Sequence, residues 1–147
     1  MAPSFSHYAY SEAVGQFVER VAQELAPVAV VLFGSLARGD YHTRSDADFC
    51  VVLSEALTSP FEGYDQVVRC DPSGVVQPLV YGAGQFRRMV CEANGLALEV
   101  LADGIFLAGD EQFRLEIEQL AAATRQRLGI ERTTTGWRIA RPDLIVP

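Results

Sequence analysis

The chain has 147 residues, 49% of them apolar and 21% charged, the length and balance of one ordinary globular domain rather than of a disordered or collagen-like chain. A formal charge of −7 and a sequence pI of about 4.7 exclude strong non-specific binding to DNA or to an anionic membrane, because that affinity comes from basic side chains. All 12 basic residues are arginine and only His7 and His42 are histidines, so a P-loop lysine, a Schiff-base lysine and the histidine-rich zinc sites are excluded as well.

Val14, Phe17, Val18, Val21 and Leu25 recur at steps of three and four, which predicts a helix from Ser11 to Ala26 that Pro27 ends. Val28 to Phe33 is an unbroken apolar run of strand length, and such a run predicts a strand covered on both faces. After a polar stretch, Asp46 to Leu53 predicts a second strand. Ser59-Pro60-Phe61-Glu62 reads as a helix start, with Ser59 capping, Pro60 at the first helical position and Glu62 closing a capping box. That helix is expected to bury Phe61, Tyr64 and Val68.

Asp71 to Gly74 predicts a turn, and Val75 to Tyr81 a third strand that Pro78 assigns to a sheet edge or a bulge. Two short helices follow over Gln85–Ala93 and Gly95–Ala102, then a short strand over Ile105–Leu107. Asp110 is placed to cap a last long helix to about Leu128, with Phe113, Ile117, Leu120 and Leu128 on one side. From Thr133 to Pro147, Trp137 included, no period is visible and no element is predicted. The alternation of helices and strands gives an α/β (α+β) class, a small mixed sheet of about four strands flanked by helices. One domain is expected over 1–128, followed by a tail over 129–147.

The stretch that carries chemistry runs from Gly34-Ser35 through Arg38, His42 and Arg44 to Asp46-Ala47-Asp48. Where a buried strand meets Gly-Ser and a turn able to be helical, backbone N–H groups point outward and favour an anion. Gly34 lets the backbone approach a phosphate, and Ser35 adds a hydroxyl donor. Ten residues separate Ser35 from Asp46. Asp46 and Asp48 lie two apart at a strand start, so their carboxylates leave on one face. Adjacent carboxylates repel unless a cation lies between them, and magnesium prefers oxygen ligands and substrate phosphates. Gly-Ser alone is commonly a turn and Asp-x-Asp alone a solvated loop. In this order, each at a strand edge, they point to a nucleotide–metal site.

The segment Gly34 to Asp48 resembles the signature of the DNA-polymerase-β-like nucleotidyltransferase superfamily: Gly-Ser, ten residues, Asp-x-Asp. The wording Phe33-Gly-Ser-Leu-Ala-Arg-Gly39 and the short chain look most like the minimal nucleotidyltransferases, single domains often paired with a helical toxin. Ala97 to Asp110 is similar to that family's helix, strand and Gly-Asp ending. The resemblance spans about Ser11 to Leu128. It implies a polymerase-β-like core in which Gly34 and Ser35 hold the nucleotide's terminal phosphates and Asp46 and Asp48 ligate Mg2+. Arg38 matches the family's loop arginine and steadies the loop or a phosphate, with Arg44 a weaker candidate. The implied activity is transfer of NMP, AMP from ATP or the equivalent from another NTP, to a hydroxyl of a macromolecular acceptor such as a HEPN-like toxin partner, with pyrophosphate released.

The family usually places a third carboxylate on the next strand, and the matching position here is Gln77. Glutamine can donate a hydrogen bond but cannot take a proton from an attacking hydroxyl. Asp71, Glu62 and Glu99 sit in a turn or on helices and offer no evident replacement. A second reading follows, a catalytically degenerate nucleotide-binding or antitoxin-like module acting by protein contact. A small-molecule nucleotidyltransferase is a third, opposed by the lack of a substrate domain.

The remaining residues read as background. His42 and the arginines at 87, 88, 114 and 125–127 are expected at the surface, and Cys50 is expected as a small buried side chain. Trp137 is read either as an interface residue or as packed back on the domain. Cys50, Cys70 and Cys91 suit reduced thiols, and the first residues lack the basic-then-apolar pattern of an export signal, so the expected compartment is the cytoplasm, without membrane attachment. Assembly as a homo-oligomer is left open.

Overall fold

The computed structural model describes residues 8–42, 44–54 and 60–145, with the side chains of residues 60–62 outside that description. The chain runs α1 (Ser11–Leu25), β1 (Ala29–Phe33), α2 (Ser35–Arg38), β2 (Ala47–Leu53), α3 (Pro60–Arg69), β3 (Val76–Gly82), α4 (Ala83–Cys91), α5 (Gly95–Asp103), β4 (Ile105–Gly109) and α6 (Glu111–Leu128). A hairpin of β5 (Ile130–Thr133) and β6 (Gly136–Ile139) follows, then a 3-10 turn over Pro142–Leu144.

The four-stranded sheet has the order β3-β2-β1-β4. β1 pairs antiparallel with both β2 and β4, and β2 pairs parallel with β3, so the sheet is mixed as expected. Every residue of β1 is buried, which fits a central strand covered on both faces. On one face Val30, Leu32, Phe49 and Val51 pack with Val14, Phe17 and Val21 of α1, Leu36 of α2 and Val67 of α3. On the other, Val31, Phe33, Cys50 and Val52 pack with Phe86 and Val90 of α4, Ala97 and Val100 of α5, and Phe113 and Ile117 of α6. Strand alternation therefore decides the side on which each even-numbered residue of β2, Asp48 included, emerges.

Pro78 lies on β3, the edge strand, where a missing N–H costs no ladder bond to a further neighbour. Asp110 caps α6, accepting from the Gln112 N–H at 3.0 Å. Asn94, which the sequence reading passed over, caps α5 by accepting from Leu96 and Ala97 at 3.0 and 3.2 Å. Helix α3 corrects one expectation: Tyr64 and Val68 are 46% and 41% exposed. The buried stripe is Gly63, Val67 and Cys70, small groups at steps of four and three that let the helix lie close to the sheet. The cap expected at Ser59 and Glu62, the burial expected of Phe61, and His7 fall outside the described residues.

The hairpin gives the segment after α6 a structure that no sequence period announced. Gly129 ends α6 with φ +63°, and a Cβ there would stand 2.9 Å from the Ala140 Cβ, so glycine permits both the turn and the return of the chain. Leu128, Ile130, Trp137 and Ile139 close over Leu98 and Ala93 as a third apolar cluster. Arg127 reaches the Leu144 and Cys91 carbonyls at 2.7 and 3.3 Å, so it ties the tail down rather than lying idle on a helix face. Among the described residues no helix is long and apolar enough to cross a membrane.

Candidate active site

The site begins where β1 ends. Gly34 has φ +75° and ψ −155°, a conformation open to glycine and strained for any side chain. A Cβ at this position would lie 2.6 Å from Asp48 Oδ2, so the loop passes beside the carboxylate only because it has no side chain there. The antiparallel register sets Phe33 opposite Asp48, which fixes this approach. The turn that follows, α2, is a single turn anchored by the buried Leu36, and it closes with Gly39 and Asp40 N–H groups donating to the Ser35 carbonyl at 2.9 and 3.1 Å.

Between Asp40 and Asp46 the described residues hydrogen-bond with one another. The Ser45 hydroxyl accepts from the His42 N–H at 2.9 Å, and His42 Nδ1 accepts from the Arg44 N–H at 3.2 Å. The exposed His42 thus shapes the loop. Tyr8 donates its hydroxyl to the Ser45 carbonyl and meets Tyr41 edge-on at 5.5 Å, fixing the chain just ahead of Asp46. Burial, with Asp46 nearby, pushes the Tyr8 phenol above its ordinary value.

Asp46 is exposed just before β2, and Asp48 is half-buried within it. Burial raises the Asp48 carboxyl above the usual carboxylate range, the charges of Asp46 and Glu99 raise it further, and Arg38 pulls the other way. Two residues deeper on the same face, the Cys50 thiol is enclosed and pushed up to about 12, so it serves as core and not as a nucleophile. The parallel register sets Gln77 of β3 beside Asp48, and Gln77 is exposed.

Arg38 lies at the same corner with its guanidinium among three acids: Asp40 at 3.1 Å, Glu99 at 3.7 Å and Asp103 at 4.0 Å. It therefore links α2 to α5. Asp103 is gripped by both arms of Arg132 at 2.7 and 2.8 Å, and those hydrogen bonds hold its carboxyl below the ordinary value. Asp103 and Arg132 were not anticipated beside the motif, and Glu99, weighed as a replacement carboxylate, was set aside. A signal for two of them existed: Glu99 and Asp103, four apart on an otherwise apolar α5, share one helix face. Arg44 lies exposed in the loop.

Among the described residues no three acidic, histidine or cysteine side chains converge as a metal site. The Asp46–Asp48 pair is a two-carboxylate donor set, which suits Mg2+, an ion that fills most of its octahedral shell with water and substrate phosphate oxygens. The half-buried Asp48 beside like charges is the kind of group such a cation would stabilise. Gly34, Ser35, Asp46 and Asp48 thus meet at one corner of the sheet, where a phosphate and a metal could sit together.

The comparisons with known proteins bear on this corner. In solved structures, a candidate nucleotidyltransferase from Sulfolobus solfataricus superposes with a TM-score of 0.50 at 27% identity, over 69% of this chain and 81% of that one. A chain from the complex of a tri-AMPylated Shewanella oneidensis HEPN toxin with its MNT antitoxin gives a TM-score of 0.54 at 13% identity, over 80% and 87%. A toxin–antitoxin structure with AMP-PNP gives 0.50 at 18% identity, over 76% and 83%. The last two likenesses speak to the fold alone. No curated protein is similar enough in sequence to count as a match. The sequence profile of the nucleotidyltransferase domain matches residues 14–89, more than half of the chain and the whole of the Gly34–Asp48 motif with the sheet strands β1, β2 and β3 that frame it. On that match, and on a mixed sheet of the kind its neighbours share, the chain belongs to the nucleotidyltransferase domain family.

Proposed function

We propose that the chain is a Mg2+-dependent nucleotidyltransferase that moves the nucleoside monophosphate of ATP, or of another NTP, onto a hydroxyl of a protein acceptor. The observation that carries the reading is the 2.6 Å between the Gly34 Cβ position and Asp48 Oδ2, which brings the Gly34-Ser35 backbone directly against a carboxylate. Gly34 and Ser35 would cradle the terminal phosphates. Asp46 and Asp48 would hold Mg2+, which when bound supplies neutralisation of the charge on the α-phosphate and the departing pyrophosphate. Arg38 would steady the loop and lend charge to a phosphate. The acceptor oxygen forms its bond to the α-phosphorus as the bond to the pyrophosphate oxygen breaks, and the hydroxyl proton leaves to water because Gln77 cannot take it. A toxin-like protein is the acceptor class we favour, since the solved neighbours include a toxin carrying AMP bound to an MNT antitoxin. The three free cysteines agree with a reducing cytoplasm.

The second reading, a degenerate module that acts by contact, rests on Gln77 standing beside Asp48. Both are tested with ATP labelled at the α-phosphate, Mg2+ and lysate of the source organism. Transfer predicts a labelled band with wild type that Asp46→Asn/Asp48→Asn lowers by at least about 10³-fold, as removal of charge stabilisation does. No label alongside intact Mg-ATP binding would favour the contact module, and in that case Gln77→Asp should restore transfer.

A further inference from the structure

Asp46 precedes β2 and lies outside the sheet ladder, so strand pairing does not place its carboxylate. Among the described residues that carboxylate has no hydrogen bond or ion pair either. Its position comes from the backbone on each side. Ahead of it, the Ser45 N–H donates to the His42 carbonyl at 3.0 Å, and the Ser45 carbonyl accepts from the Tyr8 hydroxyl. Behind it, the Ala47 N–H donates to the Val75 carbonyl at 3.1 Å. Asp48, by contrast, is set within the sheet between β1 and β3.

Tyr8 stands 37 positions before Ser45 and ahead of residues 14–89, the stretch that matches the family profile. Its side chain is only 3% exposed and packs in the cluster between α1 and the sheet. The ring meets Tyr10 and Tyr41 edge-on at 5.6 and 5.5 Å, so its orientation is set without the hydroxyl. The Ser11 N–H donates to the Tyr8 carbonyl at 3.0 Å and ties the residue to the start of α1. Val14, Phe17 and Val21 in turn seat that helix on the sheet. Tyr8 thus carries a donor from a docked helix to the residue just before Asp46. The bonds from His42 to Ser45 and from Arg44 to His42 are exposed and lie within the loop itself. A bond sheltered from water restrains a loop more firmly than such exposed ones.

We propose that Tyr8 is a positioning residue, whose hydroxyl fixes the Ser45 carbonyl and so presents the Asp46 carboxylate beside Asp48 for a divalent cation. Two carboxylates share one ion well only when their spacing is set beforehand, because ordering a loop on binding costs affinity. The part played by the cation rests on the nucleotidyl-transfer reading, but the restraint on the loop stands apart from it.

Tyr8→Phe removes the hydroxyl and keeps the ring. Tyr10→Phe, in the same aromatic cluster but with no hydroxyl bond among the described residues, is the comparison. Backbone order in the metal-free full chain is read by 15N relaxation. Metal binding is read by electron paramagnetic resonance as Mn2+, an oxygen-seeking stand-in for Mg2+, is titrated in with ATP present. In Tyr8→Phe the order parameters of the His42 and Ser45 amides should fall from about 0.85 toward about 0.6, while those of Val30 and Leu32 in β1 hold. Half-saturating Mn2+ should rise at least about fivefold, and saturating Mn2+ should return ATP affinity to within about twofold of wild type. Tyr10→Phe should move none of these readings by more than about twofold. Unmoved loop amides, an equal loss of order in β1, an unchanged Mn2+ requirement in a chain that binds Mn-ATP, or equal effects from Tyr10→Phe would each overturn the positioning role. Loop amides loosened by Tyr8→Phe in a chain whose wild type binds no Mn-ATP would support the restraint and strike instead at the nucleotidyl-transfer reading.

Discussion

At the motif corner the half-buried Asp48 has Asp46 and Glu99 as like-charged neighbours, with Arg38 as the one opposing charge. At the hairpin's root Asp103, its side chain only 16% exposed, is held by both arms of Arg132. Arg38 touches both places, yet the two carboxyls move in opposite directions, Asp48 up and Asp103 down. What differs is a dedicated partner. Burial costs a carboxylate solvation that only close, well-directed donors return. Among the described residues the fold supplies them to Asp103 and not to Asp48, which is the arrangement expected where a cation arrives with a ligand.

The comparison breaks most visibly at Gly34. Gly34→Ala combines an unfavourable φ with a Cβ driven against Asp48, and it should cost about 2–3 kcal/mol of stability in a denaturant titration and abolish Mg-ATP binding. Adding Asp48→Gly should restore part of that stability by removing the collision, leaving the backbone strain. If Gly34→Ala proves as stable as wild type, the close approach of loop and carboxylate is wrong.

Arg132→Ala tests the satisfied side. A carboxyl lowered by folding stabilises the protein above the ordinary carboxylate range, and that contribution fades as pH falls through the lowered value. The variant should therefore melt below wild type at neutral pH and converge with it in acid. A gap that stays constant with pH would show that the fork contributes nothing beyond packing.

Asp48→Asn gives the smallest effect and the opposite sign. A carboxyl raised by folding is penalised only while ionised, so the penalty is absent in acid and appears as pH rises through the raised value. In metal-free buffer at neutral pH Asp48→Asn should raise Tm slightly, and the gain should vanish at low pH. A fall in Tm at neutral pH would mean that Asp48 has protein partners and is structural.

The sheet and its helices were legible because each left a local mark: an unbroken apolar run for β1, three-and-four spacing for α1, proline on the edge strand β3, a capping aspartate before α6. The motif residues Gly34, Ser35, Asp46 and Asp48 were legible for the same reason, being close in sequence and typed by their chemistry. Two things were not. In α3 the buried stripe is made of small groups at Gly63, Val67 and Cys70, so weighing size over period chose Tyr64 and Val68 instead. The Arg38–Glu99–Asp103–Arg132 linkage joins residues up to 94 positions apart through helix packing and a hairpin whose strands are four residues each, too short to show a period. Long-range ion pairs leave no local trace, and only the fold brings them together.

The central claim is that the Gly34–Asp48 corner awaits a metal-bound nucleotide. Calorimetric titration of the full chain with ATP, with and without Mg2+, tests it most directly when wild type is run beside Asp46→Asn/Asp48→Asn. We predict saturable, Mg2+-dependent binding by wild type and none by the variant, with both melting as folded proteins. Equal ATP binding by the two proteins, or wild-type binding indifferent to Mg2+, would contradict the account.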